Sequence, residues 1–328
     1  MSGHYIRPDV KEFLDFANSQ AAKRKTPPDL AKMRYGSEEA RKHCDLPLTP
    51  LAPLAPLAVD QRIEIPGPAG TISARIFDAR ERREPGPIML FFHGGGFVVC
   101  SVDSHESATA EIARVLDIPV ISVDYRLAPE HPWPAAHDDG EAAARWLASS
   151  PPELAELGFT PTSLLLCGDS AGGNLSLVTA LALRDVPAPL PVSGLLLFFP
   201  ATDLAARGGS FDEFGDGYLL NKDGMAFFRE CFKPDPSSWR ASPMLADFAG
   251  LPPVIINACS LDPFRDQGRD CAAKLAQAGN NVYFYESQGL PHAWLTNRKS
   301  MPSAQADMAH LLGAAKVLLL GSQTSPDK

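Results

Sequence analysis

Apolar and polar positions alternate with period two along Val59–Ile65 and Thr71–Asp78, on either side of Pro66-Gly-Pro-Ala-Gly70. That is the pattern of an antiparallel hairpin with one buried face. Further on the pattern changes. Ile88–Phe92, Val120–Val123, Ser163–Cys167, Leu195–Phe199, Val254–Ala258 and Val282–Glu286 are short unbroken apolar runs, as strands covered on both faces should be. Between them Ser104–Leu116, Ala135–Ala148, Leu175–Arg184 and Asp266–Ala278 carry helical patterning, and a last helix is expected at Ala304–Leu320. The alternation predicts an α/β domain: a mostly parallel sheet of eight strands, antiparallel at the edge that the hairpin forms, with helices on both faces. Ligands of such sheets bind at the carboxyl ends of the strands.

Three stretches break this rhythm. Residues 9–25 place Val10, Phe13, Leu14, Phe16 and Ala17 at mixed three-to-four spacing, and Ser37 is a candidate cap for a second short helix through Cys44. These helices precede the first strand, so they are additions to the sheet, either as a cap over the site or as surface helices. From Pro47 to Ala58, each of Pro47, Pro50, Pro53 and Pro56 is followed by a leucine. On a polyproline II helix, with three residues per turn, those leucines form one stripe, and a Pro-rich spacer is expected. Thr202 to Pro243 is longer than an ordinary βα connection and holds Phe211, Phe214, Tyr218, Phe227, Phe228, Phe232 and Trp239. A second lid segment is expected there, at about residues 203–243, or else a helical insertion with its own small core. The expected division is residues 1–58 for cap helices and spacer and residues 59–328 for the main domain.

Composition narrows the partners. The 328 residues are 45% hydrophobic and 21% charged, an ordinary globular balance. Net charge is −9 and no basic cluster is longer than Lys23-Arg24-Lys25, which disfavours nucleic acid and acidic membrane surfaces. The first residues, Met1 to Asp9, lack the basic and apolar regions of a signal peptide. No apolar run approaches the roughly 20 residues that span a bilayer, so a cytoplasmic protein without a membrane anchor is expected. Cys44, Cys100, Cys167, Cys231, Cys259 and Cys271 show neither C-x-x-C nor metal spacing and are expected as reduced thiols, with no metal.

The sharpest chemical signal lies where the run Ser163–Cys167 ends in Gly168-Asp169-Ser170-Ala171-Gly172. This is a G-x-S-x-G nucleophile elbow: a strand delivers the serine to a sharp turn, and a helix beginning near Ala171 points its amide dipole at the reacting centre. A phosphate-cradling loop would need a following Gly-Lys-Ser/Thr, which is missing. A serine hydroxyl is a weak nucleophile near neutral pH, so it needs a base, and the base needs an orienting acid. Elbow folds recruit these in the chain order Ser, Asp/Glu, His. Of eight histidines only His292, in Gly289-Leu-Pro-His-Ala-Trp294, follows a late strand in that order. Asp262 and Asp266 both follow Val254–Ala258; Asp262 is nearer the strand end and is chosen, whereas Asp266 is better placed to cap the next helix. His93-Gly94-Gly95-Gly96-Phe97 comes directly after Ile88–Phe92, and its glycine amides, with that of Ala171, suit an oxyanion. His93 itself is expected to be structural.

Taken together, His93-Gly-Gly-Gly-Phe97, Asp124-Tyr-Arg-Leu-Ala-Pro-Glu130, Gly168-Asp-Ser-Ala-Gly-Gly-Asn174, Asp262-Pro-Phe-Arg-Asp266 and His292 resemble the hormone-sensitive-lipase-like carboxylesterases, bacterial family IV. The resemblance runs from about residue 59 to the end, and the elbow is similar to the Gly-Asp-Ser-Ala-Gly subgroup. It implies an α/β-hydrolase fold with a helical cap, no cofactor, and hydrolysis of short- to medium-chain acyl esters through an acyl-enzyme. Carried over, Ser170 is the nucleophile, Asp262 the acid and His292 the base, with the amides of Gly94, Gly95, Gly96 and Ala171 as oxyanion donors. Phe97, Asp169, Tyr218, Leu219 and Trp294 are the pocket candidates. Phe264, Gln267 and Ala293-Trp294 stand where Leu, Glu and Gly-Phe are usual, and Trp294 would shorten the pocket if it faced it. Arg126, Glu130, Asp138 and Asp139 are expected in structural ion pairs. Two rivals remain: a silent binding protein similar to the plant gibberellin receptors, which the presence of His292 disfavours, and an amidase or peptide hydrolase using the same triad. The edge strand Val282–Glu286 and the last helix would support a homodimer.

Overall fold

A computed structural model describes residues 3–23, 29–34, 36, 39, 45 and 56–321. Apart from Glu39, the helix expected at Ser37–Cys44 lies outside the described residues, as does most of the Pro-Leu repeat. The apolar runs become strands β1 (Val59–Gly67), β2 (Gly70–Asp78), β3 (Gly86–Phe92), β4 (Val120–Val123), β5 (Pro161–Asp169), β6 (Val192–Phe198), β7 (Val254–Leu261) and β8 (Val282–Pro291). They form one sheet of eight in the order β1-β2-β4-β3-β5-β6-β7-β8. β2 pairs antiparallel with β1 and β4, and every other pairing is parallel. Side chains alternate between the two faces along each strand: Leu164 and Leu166 of β5 join one apolar cluster, Leu165 and Cys167 the other.

Helices cover both faces. On one lie α3 (Ala135–Ala148), α5 (Ala171–Asp185) and α8 (Arg265–Gln277), which contribute Ala143, Leu147, Leu175, Leu181 and Leu275 to the core. On the other lie α1 (Pro8–Ala22), α2 (Glu106–Leu116) and α9 (Ala304–Leu318), through Val10, Leu14, Ile112, Met308 and Leu311. A short helix α4 (Pro152–Glu156) precedes β5, and α6 (Ser210–Glu213) and α7 (Lys222–Phe232) lie in the long insertion. α5 begins four residues before the apolar run that predicted it, because Ala171, Gly172, Gly173 and Asn174 are buried in its first turn.

Three strands outrun their apolar stretches at the carboxyl end. β5 continues to Asp169, β7 to Leu261 and β8 to Pro291, since polar residues there find partners: Gly289 N donates to Ser260 Oγ at 2.7 Å. These extensions bring the candidate residues to one edge of the sheet. α1 sits on the body: Arg7 pairs with Asp307 at 2.6 Å and Ser303 N donates to Asp9 at 2.8 Å, both near the start of α9. Residues 30–34 reach the other way. Arg34 Nε donates to Val98 O at 2.9 Å and Nη2 to Ala128 O at 2.9 Å, and the guanidinium pairs with Glu130 at 2.7 Å. Arg126–Asp139 (2.8 Å) and Arg240–Asp138 (2.7 Å) are the other expected ion pairs. Among the described residues no helix is long and apolar enough to cross a membrane.

Candidate active site

The elbow is built by removing side chains where backbones must touch. A Cβ on Gly172 would lie 1.8 Å from Phe92 O, and one on Gly168 would lie 2.4 Å from the Gly172 backbone, so β3, β5 and α5 meet only because both are glycine. Between them Ser170 adopts φ +53° and ψ −113°, a region that costs a non-glycine residue on the order of 1–3 kcal/mol. Neighbouring backbone holds it there: Ser170 N donates to Phe198 O at 2.9 Å, and Ala201 N donates to Ser170 O at 3.0 Å.

His292 Nε2 lies 2.9 Å from Ser170 Oγ, and His292 Nδ1 lies 2.7 Å from Asp262 Oδ2. Asp262 accepts, so Nδ1 carries the proton, and Nε2 is left to accept from the serine hydroxyl. Asp262 is fully buried, and its other oxygen accepts from Phe264 N at 2.7 Å. Phe199 and Phe264 stand edge-on to the imidazole, with centroids 4.8 and 5.3 Å away. Asp266, the competing acid, points elsewhere: it accepts from Ser210 N at 2.8 Å and pairs with Arg265 at 2.9 Å. Partial burial pushes its carboxyl upward, but these hydrogen bonds outweigh burial and hold it below the usual carboxylate range.

Beside the serine, the glycine loop corrects one expectation. Gly94 N donates to Asp169 Oδ1 at 2.8 Å, so that amide is committed within the protein and does not face the reacting centre. Gly95 and Gly96, at φ +118° and +62°, turn the chain back, and Val98 N and Val99 N close the turn on Gly95 O. Among the described residues no group accepts from the amides of Gly95, Gly96 or Ala171, and all three residues line the main cavity. His93 is structural: its Nδ1 donates to Gly94 O at 2.7 Å, its ring stacks on Tyr125 at 4.3 Å, and Tyr125 Oη donates to His93 O at 2.7 Å. Burial pushes the Tyr125 phenol well up, so it stays a donor.

The cavity holds about 710 Å³ and opens onto Ser170 and His292. Val99, Leu204, Leu219, Met225, Phe228 and Phe232 form much of its wall, with Lys222, Arg207 and Arg229 among the lining charges. An apolar cleft with a few convergent polar groups is the usual form of a small-molecule site. Phe97, Asp169 and Leu219 line it as expected from the sequence. Tyr218 and Trp294 do not. Tyr218 packs edge-on against Phe214 at 5.2 Å. Trp294 is fully buried in the α1/α2/α9 cluster, with Nε1 3.4 Å from Asn257 Oδ1, because Ala293 takes a left-handed conformation (φ +61°) that turns the chain inward after His292. Phe97, Phe211, Phe228, Phe232 and Phe264, not Trp294, are the aromatic residues of the wall. In the sequence Phe228 stood out only as one of seven aromatics in the Thr202–Pro243 insertion expected as a lid.

Behind the elbow, Asn174 ties three segments together. Its Nδ2 donates to Ala201 O at 2.7 Å and Ala241 O at 2.9 Å, and its Oδ1 accepts from His137 Nε2 at 2.9 Å. Complete burial pushes the His137 imidazole down to about 4, against the bond to Asn174, which raises it.

The fold and this geometry define an α/β-hydrolase, and residues 89–296 match the family model described as the alpha/beta hydrolase fold. The chain is 39% identical over 245 residues to the carboxylic ester hydrolase LipN of Mycobacterium tuberculosis, a match covering 71% of this chain and 63% of that protein. It is 35% identical to the esterase LipI of the same organism, over 79% of this chain and 82% of the relative. An ester hydrolase from the metagenome of Lake Arreo superposes with a TM-score of 0.87 at 30% identity, covering 95% of this chain and 98% of that one. The chain belongs to the hormone-sensitive-lipase-like carboxylesterases of the α/β-hydrolase family. It is a serine carboxylic ester hydrolase.

Proposed function

We propose that Ser170, His292 and Asp262 carry out ester hydrolysis in two acyl-transfer steps. The supporting observation is the continuous relay from Ser170 Oγ through both imidazole nitrogens to Asp262, at 2.9 and 2.7 Å. In the first step His292 Nε2 takes the hydroxyl proton as Ser170 Oγ bonds to the ester carbonyl carbon. The carbonyl oxygen becomes an oxyanion, held by amides drawn from Gly95, Gly96 and Ala171. Collapse breaks the bond to the alkoxy oxygen, which leaves with the proton from Nε2 as the alcohol. Water then repeats the sequence on the acyl-enzyme, gives its proton to His292 and releases the acid. Asp262 keeps Nδ1 protonated and stabilises the imidazolium throughout. No cofactor enters these steps.

The apolar wall and volume favour short- to medium-chain acyl esters of small alcohols. The insertion at about 203–243, chiefly α7, is the cap over the acyl site, with residues 30–34 beside it tied by Arg34 to Val98 and Ala128 of the body; residues 59–321 form the hydrolase body. A cytoplasmic location fits the free thiols of Cys100, Cys167, Cys231, Cys259 and Cys271. A homodimer would use the open edge of β8 and α9, where Phe284 and Val317 are exposed; light scattering after size exclusion decides it.

The test is turnover of p-nitrophenyl esters from acetate to palmitate by the wild type and by Ser170→Ala. Turnover of the short esters that disappears in a folded Ser170→Ala supports the assignment, and residual turnover above about one thousandth of wild type would reject Ser170 as nucleophile. Matched anilides distinguish the amidase reading, which requires anilide rates comparable with the ester rates.

A further inference from the structure

His105 takes no part in the relay, yet it is fully buried against the machinery. It ends a short 3₁₀ turn (Asp103–His105) just before α2, with its ring 5.7 Å from that of His93 and 6.0 Å from that of Phe91. Its Nδ1 lies 2.9 Å from Ser104 Oγ, and its Nε2 lies 3.1 Å from Asp169 Oδ1. The same Oδ1 receives the Gly94 amide at 2.8 Å.

Hydrogen-bond accounting places a hydrogen on Nε2. Ser104 Oγ has one hydrogen and two candidate acceptors, Ser101 O at 2.8 Å and His105 Nδ1. If the hydroxyl donates to Ser101 O, Nδ1–H donates to Ser104 Oγ, and a bare Nε2 would set its lone pair against a buried carboxylate oxygen, so a hydrogen on Nε2 there makes the ring an imidazolium facing that carboxylate. If the hydroxyl donates to Nδ1, the neutral ring carries its hydrogen on Nε2 in any case. At 3.1 Å the pair does not meet hydrogen-bond geometry, so the contact is electrostatic.

We propose that His105 is a positioning residue for the oxyanion-binding loop: its Nε2–H fixes the Asp169 carboxylate, which fixes Gly94 and so the amides of Gly95 and Gly96 beside Ser170. The loop rests directly on this carboxylate, because a Cβ on Gly94 would lie 2.2 Å from Asp169 Oδ2. Asp169 is itself nearly buried and holds the Gly94 amide, so any shift of its carboxylate carries that amide with it. The inference rests on the reading that these amides hold the oxyanion, where losing one donor costs about 10²–10³ in rate.

Two isosteric variants separate the ring nitrogens. His105→Gln places an amide near Nε2, facing Asp169; His105→Asn places one near Nδ1, facing Ser104. kcat and KM are measured on p-nitrophenyl butyrate, with Ki for a butyl trifluoromethyl ketone, which forms a tetrahedral adduct on Ser170, and for the matching methyl ketone, which does not. His105→Gln is expected to keep kcat within about fivefold. His105→Asn is expected to lose about 30-fold or more in kcat and weaken the trifluoromethyl ketone by a similar factor, while KM and the methyl ketone stay within about threefold. Equal kcat in the two variants, or losses shared by KM and the methyl ketone, overturns the proposal. Should His105→Asn not fold, wild-type protein labelled with ¹⁵N-histidine still decides, since a His105 Nε2 without a directly bonded proton refutes the proposal. Failure of the underlying reading looks different: wild type would then bind the trifluoromethyl ketone no more tightly than the methyl ketone.

Discussion

Acid should loosen this enzyme at one identifiable place, His137. Its imidazole has an ordinary value of 6.5 in the unfolded chain and about 4 in the folded one, chiefly because burial disfavours the cation. Below pH 6.5 the unfolded chain binds a proton here that the folded chain refuses, so stability is complete above that pH and declines as pH falls toward 4. At 1.36 kcal/mol per unit, the loss is about 2 kcal/mol at pH 5 and about 3 kcal/mol at pH 4, beyond which it levels off. Asp138 favours the charged ring and Arg240 opposes it, so neither reverses the sign. Carboxylates titrate in the same range, and the contribution is therefore isolated by difference. His137→Gln keeps an N–H for Asn174 Oδ1 but has nothing to titrate. Urea unfolding of both proteins, followed by far-ultraviolet circular dichroism from pH 7 to pH 4, should show the wild type losing about 3 kcal/mol relative to the variant over that range. A stability difference that does not change with pH would refute the reasoning.

Three other substitutions probe the site. Gly172→Ala would set a Cβ 1.8 Å from Phe92 O, a clash with backbone that no rotamer relieves; a stability loss above about 4 kcal/mol and little soluble protein are expected, and a normal yield with wild-type kcat would contradict the elbow geometry. Phe228→Ala removes an aromatic wall that a Cβ on Gly96 would approach to 2.5 Å; the ratio of kcat/KM for octanoate over butyrate should rise, by about fourfold for each methylene newly buried, and an unchanged ratio would place the acyl chain elsewhere. Trp294→Phe should lower stability by about 1–2 kcal/mol through lost packing in the cluster beneath the sheet and leave the chain-length profile as it was; a shifted profile would put Trp294 back in the pocket.

The relay was legible because its grammar is linear. An elbow after one strand, an acid after a later one and a histidine after the last must converge when the strands are parallel, and Ser170, Asp262 and His292 stand in that order. Asp262 over Asp266 followed from distance to the strand end alone, and the packing agrees because Asp266 is taken up by Ser210 and Arg265. What could not be read were directions. Gly94 has the same composition-level credentials as Gly95 and Gly96, and only the fold reveals that its amide turns to Asp169. Trp294 is two residues from the base, yet a left-handed Ala293 sends it to the opposite side of the sheet. Tyr218 and Phe228 belong to one aromatic-rich insertion and end on different sides of its wall, a choice set by tertiary packing that the pattern of apolar residues leaves open.

The grip of Arg34 on Val98 O and Ala128 O carries a practical consequence for anyone who shortens or decorates the amino-terminal region. A chain with Arg34→Ala would keep α1, every strand and the whole relay, so spectroscopy and melting would report an intact hydrolase. The loop beyond Gly96, however, would have lost the brace that joins it to Glu130, and the deficit would surface only in turnover. Activity, rather than folding, is the sensitive gauge of whether a change confined to residues 30–34 has been harmless.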